Sequence, residues 1–151
     1  MINHDISQIL IRDLNKLKEE LNLYPDNQSM WKVIPGTSNT GGNLSLHLAG
    51  NLRHFIGAVL GNTGYIRERD LEFSTKDVEL KELISQIDIT ISEVNNALEN
   101  LDPAVLSQEF PKEIGGMKRD TGFVLLHLMS HLSYHLGQIN YHRRIVTSLK
   151  M

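Results

Sequence analysis

The sequence predicts an all-α fold, a four-helix bundle with long connections between its helices, and three observations carry that reading. Four stretches repeat apolar residues at helical spacing. Segments rich in Gly, Pro, Asn and Ser separate them. No stretch alternates polar and apolar residues well enough to form a strand, and there is no internal repeat. At 151 residues the chain has the length of one domain, 1–151.

The first helix is expected from about Asn3 to Leu23, with Ile6, Leu10, Leu14, Leu17 and Leu21 on one face, and Tyr24-Pro25-Asp26 ends it. Residues Asn27 to Gly42, including Pro35-Gly36, read as a loop that Trp31 and Ile34 fold back onto the core. The second helix should run from near Asn43 to about Leu60 on a stripe of Leu44, Leu48, Leu52, Phe55 and Val59. It stops at Gly61-Asn62-Thr63-Gly64, where Gly and Asn tolerate a left-handed cap. Arg67-Glu68-Arg69-Asp70 reads as a solvated connector. A third helix follows, capped near Ser74 or Thr75 and carried by Val78, Leu80, Leu83, Ile84, Ile87, Ile91, Val94 and Leu98 to about Leu101. Asp102-Pro103 breaks it, and an irregular connection leads to a last helix from Asp120 or Thr121 to about Ser148.

Composition narrows the function. Hydrophobic residues make up 40% and charged residues 22%, the balance of a soluble globular protein. Net charge is −3 with no block of Lys or Arg, which argues against nucleic acid as a partner. There is no cysteine, so a metal must be held by His, Asp or Glu, and a thiol nucleophile must come from outside. No signal peptide is evident, and no apolar run approaches the ~20 residues that span a bilayer. A cytoplasmic protein without a membrane partner is the expectation.

Chemistry concentrates in the last helix, where His127, His131 and His135 stand four apart. Residues so spaced share a helix face, so two imidazoles can swing toward one metal ion. At about 100° per residue, His135 falls roughly 70° and His131 roughly 110° from the centre of the apolar face, while His127 lies about 150° away. His131 and His135 are therefore the preferred pair, and His127 a surface residue. His142 also reads as a surface residue, in a last turn where cations suit the helix dipole. The competing reading of an HxxxH pair is a solvated or hydrogen-bonded one. Gly137 implies a packing or access requirement, because glycine weakens a helix interior. On the second helix His47 and Asn51 share a face at the border of the apolar stripe, and His54 turns toward water.

The segment LHLAGN around His47, taken with HLSYHLGQI around His131 and His135, resembles the DinB/YfiT-like family. That resemblance implies a four-helix bundle carrying one divalent metal ion (Zn, Ni, Fe or Mn) on His47, His131 and His135. The run HLGQ departs from the Arg-Gly-Gln common in the family, and the second helix looks like that of an uncharacterised branch. Known members include transferases and isomerases that use a low-molecular-weight thiol as cosubstrate. The implied function is a metal-dependent enzyme on a small-molecule substrate, such as a thiol-dependent S-transferase. Asn51 and Gln138 are candidates for orienting the ligands or the substrate. The alternatives are a metal-dependent hydrolase, for which neither ligand segment offers a suitably placed Glu or Asp, and a non-catalytic metal-binding or stress-associated module. The latter would act through partner contacts, a homodimer among them.

Overall fold

The computed structural model describes residues 1–150. Four long helical segments form the bundle: α1 (Ile2–Asn22), α3 (Gly41–Leu52) with its π-helical extension (Arg53–Ala58), α5 (Leu80–Glu99) and α6 (Thr121–Lys150). Two short helices, α2 (Asn27–Met30) and α4 (Arg69–Ser74), and a 3-10 turn (Pro103–Ser107) lie in the connections. Helix α1 packs against α5 and α6, and α3 packs against the same two, so α1 and α3 face each other across the bundle. Among the described residues no helix is long and apolar enough to cross a membrane.

The core follows from helical spacing. Leu10, Leu14, Leu17 and Leu21 of α1 are fully buried and meet Leu83, Ile87, Val94 and Leu98 of α5 and Val124, Leu125, Leu128, Leu132 and Ile139 of α6. The first connection folds inward as expected: Trp31 is buried, its Nε1 donates to the Val78 carbonyl (3.2 Å), and Ile34 packs on the core. The long connection before α6 is pinned by Phe110, which is fully buried.

Three expectations about element ends are corrected. Helix α3 starts at Gly41, because Thr40 rather than a later residue is its N-cap, accepting from the Asn43 amide (3.1 Å). Its last turns are π-helical. The wider turn places Ile56 in the core and leaves Phe55 and Val59 half-buried at its flank. The third long helix starts at Leu80, not near Ser74 or Thr75, because Ser74 ends the unexpected helix α4. The Asn43 side chain holds that end in place, donating to the carbonyls of Glu72 (3.0 Å) and Thr75 (2.8 Å).

His142 is not a surface residue: it is only 5% exposed. Its Nε2–H donates to the Lys32 carbonyl (2.7 Å), and its Nδ1 accepts from the Tyr24 hydroxyl (2.7 Å). This pair ties the first connection to α6 through a neutral ring. It fits because Gly41 has no side chain; a Cβ there would overlap the Tyr24 hydroxyl. Gly137, by contrast, borders open space, so no packing contact explains it.

Burial pushes the His142 pKa below its ordinary value, and the bond to Lys32 only partly opposes this. As pH falls through about 6.5 the unfolded chain takes up a proton that the folded ring refuses, so stability declines. The decline ends at the lower folded pKa. Chemical denaturation across that range should show a shallower acid limb in His142→Gln than in the parent; equal limbs would show that the ring titrates alike in both states.

Candidate metal centre

The seam between α3 and α6 is antiparallel. Leu44 of α3 lies near Gln138 of α6, around a common cavity, and one turn further His47 meets His135. Helical geometry thus places three imidazoles from two facing helices around one point. Nε2 of His131 is 3.1 Å from Nε2 of His47 and 3.1 Å from Nε2 of His135. One ligand atom of each lies within 4.8 Å of the others. His47 is buried, and His131 and His135 are half-buried.

The surrounding hydrogen bonds orient these rings. Nδ1–H of His47 donates to Glu72 Oε1 (3.0 Å), and Nδ1–H of His135 donates to Gln138 Oε1 (2.6 Å). Both acceptors are oxygens without a proton to give, so in the neutral rings the lone pairs at Nε2 are bare and aimed inward. Partners of this kind fix the tautomer and orientation of metal-binding histidines. Nδ1 of His131 is buried and has no partner among the described residues. A proton on His131 Nε2 could serve one of the two flanking lone pairs but not both. A cation would serve all three nitrogens.

The two Nε2–Nε2 distances of 3.1 Å at His131 agree with that. Nitrogens held at 2.0–2.1 Å from one ion are roughly 2.9–3.4 Å apart for angles between right and tetrahedral. Burial pushes the His131 pKa down to about 4, with the His135, His47 and His127 rings and Arg67 acting in the same direction. His135 is also lowered, again first by burial, with His47 adding and the Gln138 bond opposing. Both rings are thereby kept in the neutral form that a metal requires.

Glu72 and Arg67 are site residues that the sequence did not point to. Arg67 is not part of a solvated connector: its Nε and Nη2 both donate to the Glu72 carboxylate at 2.9 Å, from a side chain only 11% exposed. Burial alone would raise the Glu72 pKa, but the hydrogen bonds from His47 and Arg67 outweigh it and hold the carboxyl below its ordinary value. The carboxylate lies directly over Gly50, where a Cβ would overlap it. Phe73 stacks at a tilt on His47, with ring centroids 4.8 Å apart. The legible signal was Gly50, one turn beyond His47; nothing in the sequence named what comes close to it.

Other candidates are placed as follows. Asn51, one turn past His47, is buried, and its side-chain oxygen has no partner among the described residues. Gln138 bonds His135 and also donates to the Tyr134 hydroxyl (3.3 Å). His127 is exposed, with its ring stacked 6.3 Å from that of His131. His54 is half-buried beside Phe55 in the π turn, and His4 forms an exposed pair with Glu99.

Among known proteins, the family model described as the DinB superfamily matches residues 9–139. No curated protein gives a significant match to the chain.

Glu72→Ala would leave the Arg67 guanidinium buried without its carboxylate, a change that costs about 3–5 kcal/mol when an ion pair is broken on one side. Urea denaturation of chelator-treated protein measures it. A loss below about 1 kcal/mol would show that Arg67 swings into water as an exposed pair does.

Proposed function

The chain belongs to the DinB superfamily, and from that premise we propose that it holds one divalent metal ion on His47, His131 and His135 and acts as a metal-dependent enzyme on small molecules. The reaction proposed is transfer to or from a low-molecular-weight thiol, that is, an S-transferase activity. One observation carries the reading: three Nε2 atoms from two helices converge, two of them with their lone pairs exposed by bonds on the far side of the ring.

A divalent ion on three imidazoles supplies Lewis acidity at open coordination positions, which acidifies a thiol or water there. The chain's own residues do the rest. Glu72 anchors His47, and Arg67 neutralises Glu72, so the ligand is oriented without adding a free negative charge to the centre. Gln138 anchors His135 from the more open side of the site. Asn51, one turn past His47 and with its side-chain oxygen unpaired among the described residues, is the candidate for orienting a ligand or substrate there. The thiol must be a cosubstrate, because the chain has no cysteine.

Hydrolysis is the weaker reading. It needs a free carboxylate beside the reacting water, and Glu72 is committed to Arg67 and to the outer nitrogen of His47.

Elemental analysis of untagged protein should find about one divalent ion per chain, unchanged in His127→Ala and lost in His135→Ala. Chelation should lower the melting temperature. Free metal at a hundred times Kd stabilises by about 2.7 kcal/mol, or about 5–10 °C for a chain of this size. Metal-replete protein that accelerates no thiol transfer over a panel of small electrophiles would instead indicate a non-catalytic metal-binding module.

Gly50→Ala displaces the Glu72 carboxylate while leaving every ligand in place. Loss of such an outer partner should weaken metal binding about 10–100-fold, read by competition with a chromogenic chelator. Unchanged affinity would mean that the carboxylate has no part in holding His47.

A further inference from the structure

One helical turn from the three histidines, the seam between α3 and α6 opens into a cavity of about 470 Å³. The size is that of a small-molecule site, not a packing defect. Leu44, three residues before His47, forms one wall, and Gln138, three residues after His135, forms another. That is about 4.5 Å of helix on each side, at 1.5 Å per residue. Gln138 therefore belongs to both places: its side-chain oxygen holds His135, and the residue lines the cavity.

The remaining wall is preformed. Residues 34–37 make a turn closed by the Thr37 amide on the Ile34 carbonyl (3.0 Å), with Pro35 and a left-handed Gly36 (φ +86°) at its centre. This is the arrangement of a type II turn, in which proline fixes the second position and glycine supplies the third. The Tyr24–His142–Lys32 bonds fasten the base of the same connection to α6.

The chemistry of the lining is one-sided. Ile34, Leu44, Tyr141 and Ile145 supply apolar surface. The Ser38 hydroxyl and the Asn39 amide supply hydrogen-bonding groups, and among the described residues neither side chain has a partner. No Lys, Arg, Asp or Glu lines the cavity. His142, which does, has both ring nitrogens committed, to Tyr24 and Lys32. A carboxylate or phosphate entering here would shed water and meet no cation in the lining, since the neighbouring Arg144 is drawn over the Tyr141 ring (5.5 Å to its centroid). An uncharged group with an apolar body and an amide or hydroxyl edge would meet what it needs.

We infer that this cavity is the subsite for the non-reacting part of the substrate, an uncharged group with an apolar body and an amide or hydroxyl edge, whose reacting end extends along the seam to the three histidines. The inference rests on the reading of the histidines as a metal-dependent site, and it adds a selection: the subsite disfavours polyanionic molecules because no charged side chain lines it.

The test uses the full-length ¹⁵N-labelled chain in chelator-treated and zinc-loaded forms, with zinc content measured on each sample. N-benzylacetamide, an uncharged probe with an aromatic body and an amide edge, should shift the amides of Gly36, Ser38, Asn39 and Ile145 saturably in both forms. Hippurate, which carries a carboxylate on a similar frame, should bind the chelator-treated form at least about tenfold more weakly, for want of a cation. Ile145→Trp, at a half-exposed position, fills the cavity and should abolish the N-benzylacetamide shifts with zinc content unchanged. Ser38→Arg, on the exposed rim, should raise the affinity for hippurate. Shifts scattered over the surface, equal binding of the two probes by the parent chain, or binding that survives Ile145→Trp would overturn the inference. Failure of the metal site itself would appear separately, as zinc content near zero in the loaded sample.

Discussion

Burying the Glu72 carboxylate against the flank of α3 commits the chain to several other features, because a desolvated charge needs a counter-charge and donors close by. Arg67 supplies the charge and two of the hydrogen bonds, and His47 supplies a third. For Glu72 to arrive there, the connection after the second long helix must double back as α4, and Asn43 must hold the carbonyls at its end. For the carboxylate to lie flat on α3, residue 50 must lack a side chain. Once these conditions are met, the His47 ring has one orientation, with its free nitrogen facing α6.

The bundle divides its labour accordingly. The α1–α5 side is built from leucine, isoleucine and valine at helical spacing, with Ile6, Leu10, Leu14, Leu17 and Leu21 set against Leu83, Ile87, Val94 and Leu98. The α3–α6 side carries His142 opposite Gly41 and, about two turns along, His47 opposite His131 and His135. Polar groups buried in this way cost stability unless each finds a partner. Among the described residues His131 Nδ1 and Asn51 Oδ1 on this seam have none, as have Asn3 Oδ1 and Ser7 Oγ on α1. The α1–α5 side is mainly apolar, though it too buries Asn3, Ser7, Asp13 and Thr90, and its cohesion lets the opposite seam retain groups that serve chemistry.

How far the sequence disclosed this depends on whether a feature is local. Helices α1 and α6 lie within two residues of the expected bounds, because their apolar spacing and terminal signals sit within the segments themselves. The π turn escaped notice because Arg53–Ala58 has a composition that an ordinary α-helix would accept. Helix α4 is only six residues long, too short for periodicity to register. The four-residue spacing could place His131 and His135 on one face, but the encounter with His47 spans 84 residues of chain and came from resemblance to a family. Glu72 and His142 were hidden for the same reason: what makes each buried group tolerable lies 5 to 118 residues away.

The π-helical end of α3 has a further consequence for how the chain can vary. A π turn is what an α-helix becomes when it holds one surplus residue between two anchored ends. Here one anchor is His47 with its neighbours, and the other is Gly61-Asn62, where Asn62 adopts a left-handed conformation (φ 52°). The widened turn absorbs the mismatch, keeping Ile56 in the core while Arg53 pairs with Glu93 on α5. The segment thus acts as an expansion joint: an insertion or deletion near residues 53–58 can be taken up in the width of the coil, without twisting the histidine out of line.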